Sequence, residues 1–248
     1  MPITTLAVAG LAISCWVGMF WHHFAGGHHT STAEPAIFSH EYLAWMFMVG
    51  AMMLPTTFEA VNDVSRRSYR RRRFVAAMEY IAGYLAWWVV LGAVFAIVRV
   101  IPAFQHRYLA VIVGFLASVW MLVPARRIWF AQCHRQIPLC PVGWRADWDA
   151  FNQGLAHGMP CVKMCWLLML ACGFSGHNWI LMIGGTILAV HEMRMFRLDR
   201  TVLFVGSLIL SALLLTQIAI EPLSLFHLSH DHQQHQQPLF HQHLRHQH

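Results

Sequence analysis

A succession of apolar runs, at 3–21, 42–61, 75–101, 108–129, 155–175, 178–193 and 202–220, constrains this chain more than any other feature. Each is close to the roughly 20 residues with which a helix crosses a hydrocarbon core about 30 Å thick. In lipid the backbone must satisfy its own hydrogen bonds, which leaves helices or a closed barrel, and a barrel strand needs only about half this length. The expected fold is therefore all-α: a polytopic membrane bundle of about seven transmembrane helices over 1–225, followed by a His-rich tail over 226–248. Composition agrees, since 57% of residues are hydrophobic and 11% are charged. A soluble domain would carry about a quarter charged residues. The run at 3–21 is too long for a usual signal-peptide core and has no clear small-residue cleavage site after it, so it reads as a retained first helix.

The net charge of +6 does not point to nucleic acid. Arg66, Arg67, Arg70, Arg71, Arg72 and Arg73 crowd one loop, and most other arginines fall in the fourth and sixth loops between runs. Such clustering encodes orientation, because basic loops stay cytoplasmic. It predicts the N-terminus inside, the C-terminus outside, and residence in a bacterial inner membrane, with the lipid bilayer as the main partner. The histidines run the other way: His22, His23, His28, His29 and His40 fall in the first outer loop, and eight more from His227 onward fall in the tail.

Four features could carry chemistry. The outer-loop pairs His22-His23 and His28-His29, with His40, could fold back around one ion, since neutral imidazole is the commonest metal ligand. The competing explanation is a hydrated polar loop. The tail lacks the apolar residues to bury a core, so it is expected to be disordered and to collect divalent ions with little selectivity. In the fifth run, His157, Cys161, Cys165 and Cys172 recur at i, i+4, i+8 and i+15. At 100° per residue they share an arc of roughly 80°. Soft sulfur donors on one face suit Cu(I), although small cysteines also let helices pack closely in lipid. In the second run, Met52 and Met53 precede Pro55, which frees a carbonyl one turn earlier and should kink the helix beside soft ligands; methionine is also ordinary core filler. Glu59 and Asp63, one turn apart, are expected to pair with nearby arginines. Cys133 and Cys140 fall in an inner loop, reduced and outside any CxxC pair.

The strings AMMLP at Ala51 to Pro55, VPARR at Val123 to Arg127, CHRQIP from Cys133 and GMPCVKMCW from Gly158 together resemble a bacterial family of predicted metal-binding integral membrane proteins, a domain of unknown function. The resemblance runs from about Trp45 to Ala189, and the order of the motifs makes it specific. It implies metal binding, with Gly158, Cys161, Met164, Cys165 and Trp166 in the family's cysteine motif. Met164 stands where that family has the first of two adjacent cysteines, Lys163 replaces a glycine, Arg126 replaces a lysine, and His177 stands where Met is usual. A neutral thioether in place of a thiolate favours Cu(I) over Zn²⁺.

Together these features predict a protein that captures a transition metal, copper ahead of zinc, with outer histidines and holds or passes it at a Met/Cys site between the second and fifth helices. Other membrane or periplasmic metal-handling proteins would be its partners. A metal-dependent membrane oxidoreductase subunit is the alternative, and a structural or assembly protein with no metal of its own is the third. No mid-span histidines face one another as haem ligands, and no Walker A pattern occurs, so neither haem nor nucleotide is expected.

Overall fold

The computed structural model describes residues 3–25, 34–104, 108–133, 138, 140, 143–194, 201, 204–209, 211, 212 and 215. The described residues form helices and turns, with no strand among them. Helix α1 (Ile3–Ala25) packs along α2 (Glu34–Met53). Pro55 has no N–H to give, so the helix tightens into a 3-10 turn over Leu54–Thr57 before α3 (Phe58–Arg67) resumes. The carbonyl that Pro55 abandons is that of Ala51, and the indole N–H of Trp16 donates to it at 3.1 Å. The hydroxyls of Thr56 and Thr57 donate to the carbonyls of Met53 and Leu54 at 2.6 and 2.8 Å. The kink expected at Pro55 is thus a built feature, with its stranded backbone group claimed by α1.

Helix α4 (Arg73–Val100) and helix α7 (Trp144–Phe174) are the longest, and they form the most extensive helix pair. They run parallel, with Tyr80 beside Gly154 and Phe95 beside Gly173. Glycine makes this approach possible: a Cβ on Gly83 would lie 2.1 Å from the carbonyl oxygen of Phe151, and one on Gly154 at 2.1 Å from that of Tyr80. Gly154 and Gly158 form a GxxxG pair, the spacing that lets helix backbones touch in a membrane. Helix α2 packs against α4, α5 (Tyr108–Trp120) and α6 (Arg126–Cys133) pack against α7, and α8 (Trp179–Arg194) packs against both α2 and α7.

Two boundaries differ from expectation. The apolar stretch 108–129 is not one helix: it breaks over 121–125, around Pro124, into α5 and α6. Conversely, α7 starts at Trp144, after Gly143 with φ +84°, well before the apolar run at 155–175, so the polar segment bearing Trp144 and Trp148 is the first turns of that helix.

Four helices are long and apolar enough to cross a membrane: Thr4–His22, Ile37–Arg67, Arg73–Val100 and Trp144–Phe174. At 1.5 Å per residue α5 and α8 reach only about 20 and 24 Å, short of a hydrocarbon core of about 30 Å. The run 202–220 lies mostly outside the described residues, as does the tail 226–248. Among the described residues, length and composition thus give four candidate spans, toward the seven expected of the whole sequence. The bundle is apolar outside as well as inside, since Ile13, Val17 and Phe20 of α1, Val90, Val94 and Ile97 of α4, and Ile112 and Phe115 of α5 are all exposed. Exposed apolar side chains along these helices are compatible with a lipid surround.

Candidate metal centre

The close contact of α4 with α7 puts the donor face of α7 against two buried tyrosines. His157 Nδ1 lies 2.7 Å from the hydroxyl of Tyr80, and Cys161 Sγ lies 3.0 Å from the hydroxyl of Tyr84. The ring of Tyr84 also meets His157 edge-on at 5.5 Å between centroids, and its hydroxyl is 3.5 Å from Thr56 Oγ1 beside the proline kink. Cys165 follows one turn after Cys161 and Cys172 two turns later, both fully or almost fully buried.

One buried cluster contains these cysteines and the methionines of the kinked helix. It joins Met48, Met52 and Met53 of α2 with Cys161, Met164, Cys165, Met169 and Cys172 of α7, and adds Cys133 of α6 and Met182 of α8. Met52 and Met53 both lie inside it with no exposed surface, although neighbouring helix positions point in different directions. This is possible because α8 covers the far side: a Cβ on Gly185 would stand 2.9 Å from the methyl of Met52. Trp45 and Trp88 close the cluster toward the other end, with the Trp45 indole donating to the Trp88 carbonyl at 3.2 Å.

Cys133 is the residue that the sequence reading misplaced. Assigned to an inner loop, it is instead the last residue of α6 and buried, with its thiol 4.0 Å from Met164 Sδ. Nothing in the local string CHRQIP signals this, because burial here depends on α6 folding back onto α7. Cys140 behaves as a loop cysteine should: it is exposed, and the Asp149 carboxylate, through a hydrogen bond and its charge, raises the thiol above its ordinary value. Tyr84 and Tyr80 were also missed, being indistinguishable in sequence from other aromatics of an apolar run.

A buried ion pair borders the cluster. Arg126 is fully buried, donates to Met121 Sδ, and reaches Glu192 Oε1 of α8 at 2.5 Å. Asp63 pairs with Arg67 at 2.8 Å, as expected of that helix end.

Among the outer histidines, His22 at the end of α1 and His40 of α2 come together, with ring centroids 4.1 Å apart. The side chain of His23 and the whole of His28 and His29 lie outside the described residues. Among the described residues, no three or more His, Cys, Asp and Glu side chains gather as a metal site. The buried interior is instead built chiefly from apolar and sulfur-bearing side chains. The donors it does concentrate are thiols and thioethers, a soft set of the kind that suits Cu(I) among other thiophilic metals.

Comparison with known proteins agrees in kind. No curated protein and no solved structure matches the chain. A family model described as the copper chaperone PpoB2 matches residues 42–216, more than half of the sequence, including Met48, Met52, Met53, Cys133, Cys161, Met164, Cys165, Met169, Cys172 and Met182 of the sulfur cluster. By that match the chain belongs to the PpoB2 copper chaperone family.

Proposed function

We propose that this protein is an integral membrane copper chaperone of a bacterial inner membrane, which collects copper with histidines on its outer side and holds or passes it as Cu(I) at a Met/Cys site between α2 and α7. The observation that carries this reading is the one buried cluster to which Met52 and Met53 belong together with Cys161, Met164 and Cys165. Polarizable, unbranched methionine side chains can repack around an arriving ion, and the cysteines supply the negative charge that a thioether lacks. Cu(I) is satisfied by a pair of sulfur ligands with or without a third. A chaperone benefits from such a site, because cargo held by few ligands exchanges readily.

The pair His22 and His40 supports capture at the outer end of the bundle, to which His23, His28 and His29 and the tail histidines would add imidazoles. The arginine-bearing loops support an orientation with the N-terminus inside and the C-terminus outside. Copper is cargo here, and other membrane or periplasmic metal-handling proteins are its donors and acceptors.

Metal analysis tests the reading. The protein, reconstituted with Cu(I) as full-length chain and with residues 226–248 removed, is expected to bind copper in both forms. Absence of copper and zinc from both forms would refute it; copper lost with the tail alone would reduce the protein to a histidine sponge.

A further inference from the structure

A cavity of about 160 Å³ opens between the kinked end of α2, α3, α6, α7 and α8, at the end of the bundle where α3 terminates in Arg66 and Arg67. Exposed Glu59 stands at its mouth, Asp63, His157, Met193 and Arg194 line its sides, and buried Cys133 lines it from within. Cys133 therefore belongs to two neighbourhoods at once: it faces this cavity, and it is a member of the buried sulfur cluster, 4.0 Å from Met164 Sδ. Met193, on the cavity side, also packs against that cluster.

We propose that this cavity is the port through which Cu(I) exchanges with the buried cluster, and that Cys133 is the transfer ligand at its floor. The inference rests on the reading of Cys161, Met164 and Cys165 as the holding site. Carboxylates at the mouth attract a cation, although Arg67 already holds Asp63 and Arg194 is close by, so Glu59 carries most of that role. Imidazole and thioether on the walls are softer than carboxylate, and the thiolate of Cys133 and then Met164 are softer still or fully buried. The donors thus grow softer and drier from the mouth to Cys133 and Met164, which lets Cu(I) exchange with the cluster through this end and leaves hard divalent ions at the mouth. The passage is ligand exchange with no redox change. Copper remains Cu(I); the Cys133 thiol gives its proton to solvent when it takes the ion and regains one when the ion moves on to Met164 and Cys165, whose thiol gives up a proton in turn.

The test is the rate at which the full-length protein, in lipid nanodiscs, takes Cu(I) from its bicinchoninate complex. Cys133→Ser is expected to load about tenfold more slowly. Ala60→Trp, which fills the mouth and keeps Cys133, is expected to slow loading likewise. A wild-type rate in Ala60→Trp overturns the port, and a wild-type rate in Cys133→Ser overturns the transfer ligand. The double variant Cys161→Ser with Cys165→Ser reports on the holding site separately. Copper lost there while both port variants load at the wild-type rate refutes the port alone, and copper retained there refutes the holding site.

Discussion

The hydroxyl of Tyr84 sits 3.0 Å from the sulfur of Cys161, in an interior where neither residue has exposed surface. A phenol that can donate to a thiolate stabilises the metal-bound form of the cysteine and fixes the direction of its lone pairs. Groups in this position typically contribute a factor of about 10 to 100 in metal affinity. Tyr84→Phe is therefore expected to weaken Cu(I) binding about tenfold while costing only about 1 kcal/mol of stability, the net worth of one hydrogen bond. Competition against a colorimetric Cu(I) chelator, with thermal unfolding alongside, separates the two effects.

The contact between α4 and α7 has no room for a side chain at Gly154, where an added Cβ would meet backbone 2.1 Å away. Backbone cannot move aside as a flexible side chain does. Gly154→Val is expected to cost at least the roughly 1–3 kcal/mol of an overpacked core, seen as a lower unfolding temperature in detergent, and to lose copper because Cys161 separates from Tyr84. Gly10, which has open space around it, provides the control: Gly10→Ala leaves both unchanged.

Arg126 and Glu192 are both buried and joined at 2.5 Å. Removing one partner strands the other charge in a dry interior at about 3–5 kcal/mol, whereas replacing both with apolar residues is often neutral. Glu192→Gln and Arg126→Met should each lower the unfolding temperature, and the double variant Arg126→Met with Glu192→Met should recover most of the loss. Additive losses in the double variant would show that the pair does not act as a unit.

Thiol labelling distinguishes the interior from the loop. Cys140 is exposed, while Cys161, Cys165 and Cys172 are buried. An impermeant maleimide is expected to modify Cys140 in the folded protein and the three α7 cysteines only after unfolding. Asp149 holds the Cys140 thiol above its ordinary value, so less thiolate is present at a given pH and labelling accelerates only at higher pH. Asp149→Asn should move that acceleration to lower pH.

The sequence disclosed the helical class, the break at Pro55 and the donor face of α7, because each is a local property: apolar length, a missing N–H, and helical spacing. Met52 and Met53 were harder, since periodicity alone puts them on different sides of a helix; both reach one cluster because α8 encloses the second side. Cys133 and Tyr84 were not legible at all. Their roles depend on α6 turning back at 121–125 and on the glycine contact between α4 and α7, relationships between segments far apart in the chain. The GxxxG pair at Gly154 and Gly158 was the available signal for the latter and was overshadowed by the cysteines beside it. Four of the apolar runs correspond to helices long enough to span among the described residues, and the break of 108–129 shows that an apolar run records composition and not whether a helix runs unbroken through it.

X-ray absorption at the copper edge on the Cu(I)-loaded protein reads out which atoms hold the ion. The expected result is a coordination shell dominated by sulfur that is lost when Cys161 and Cys165 are both changed to serine. A shell of nitrogen ligands that the double substitution leaves unaltered would contradict it.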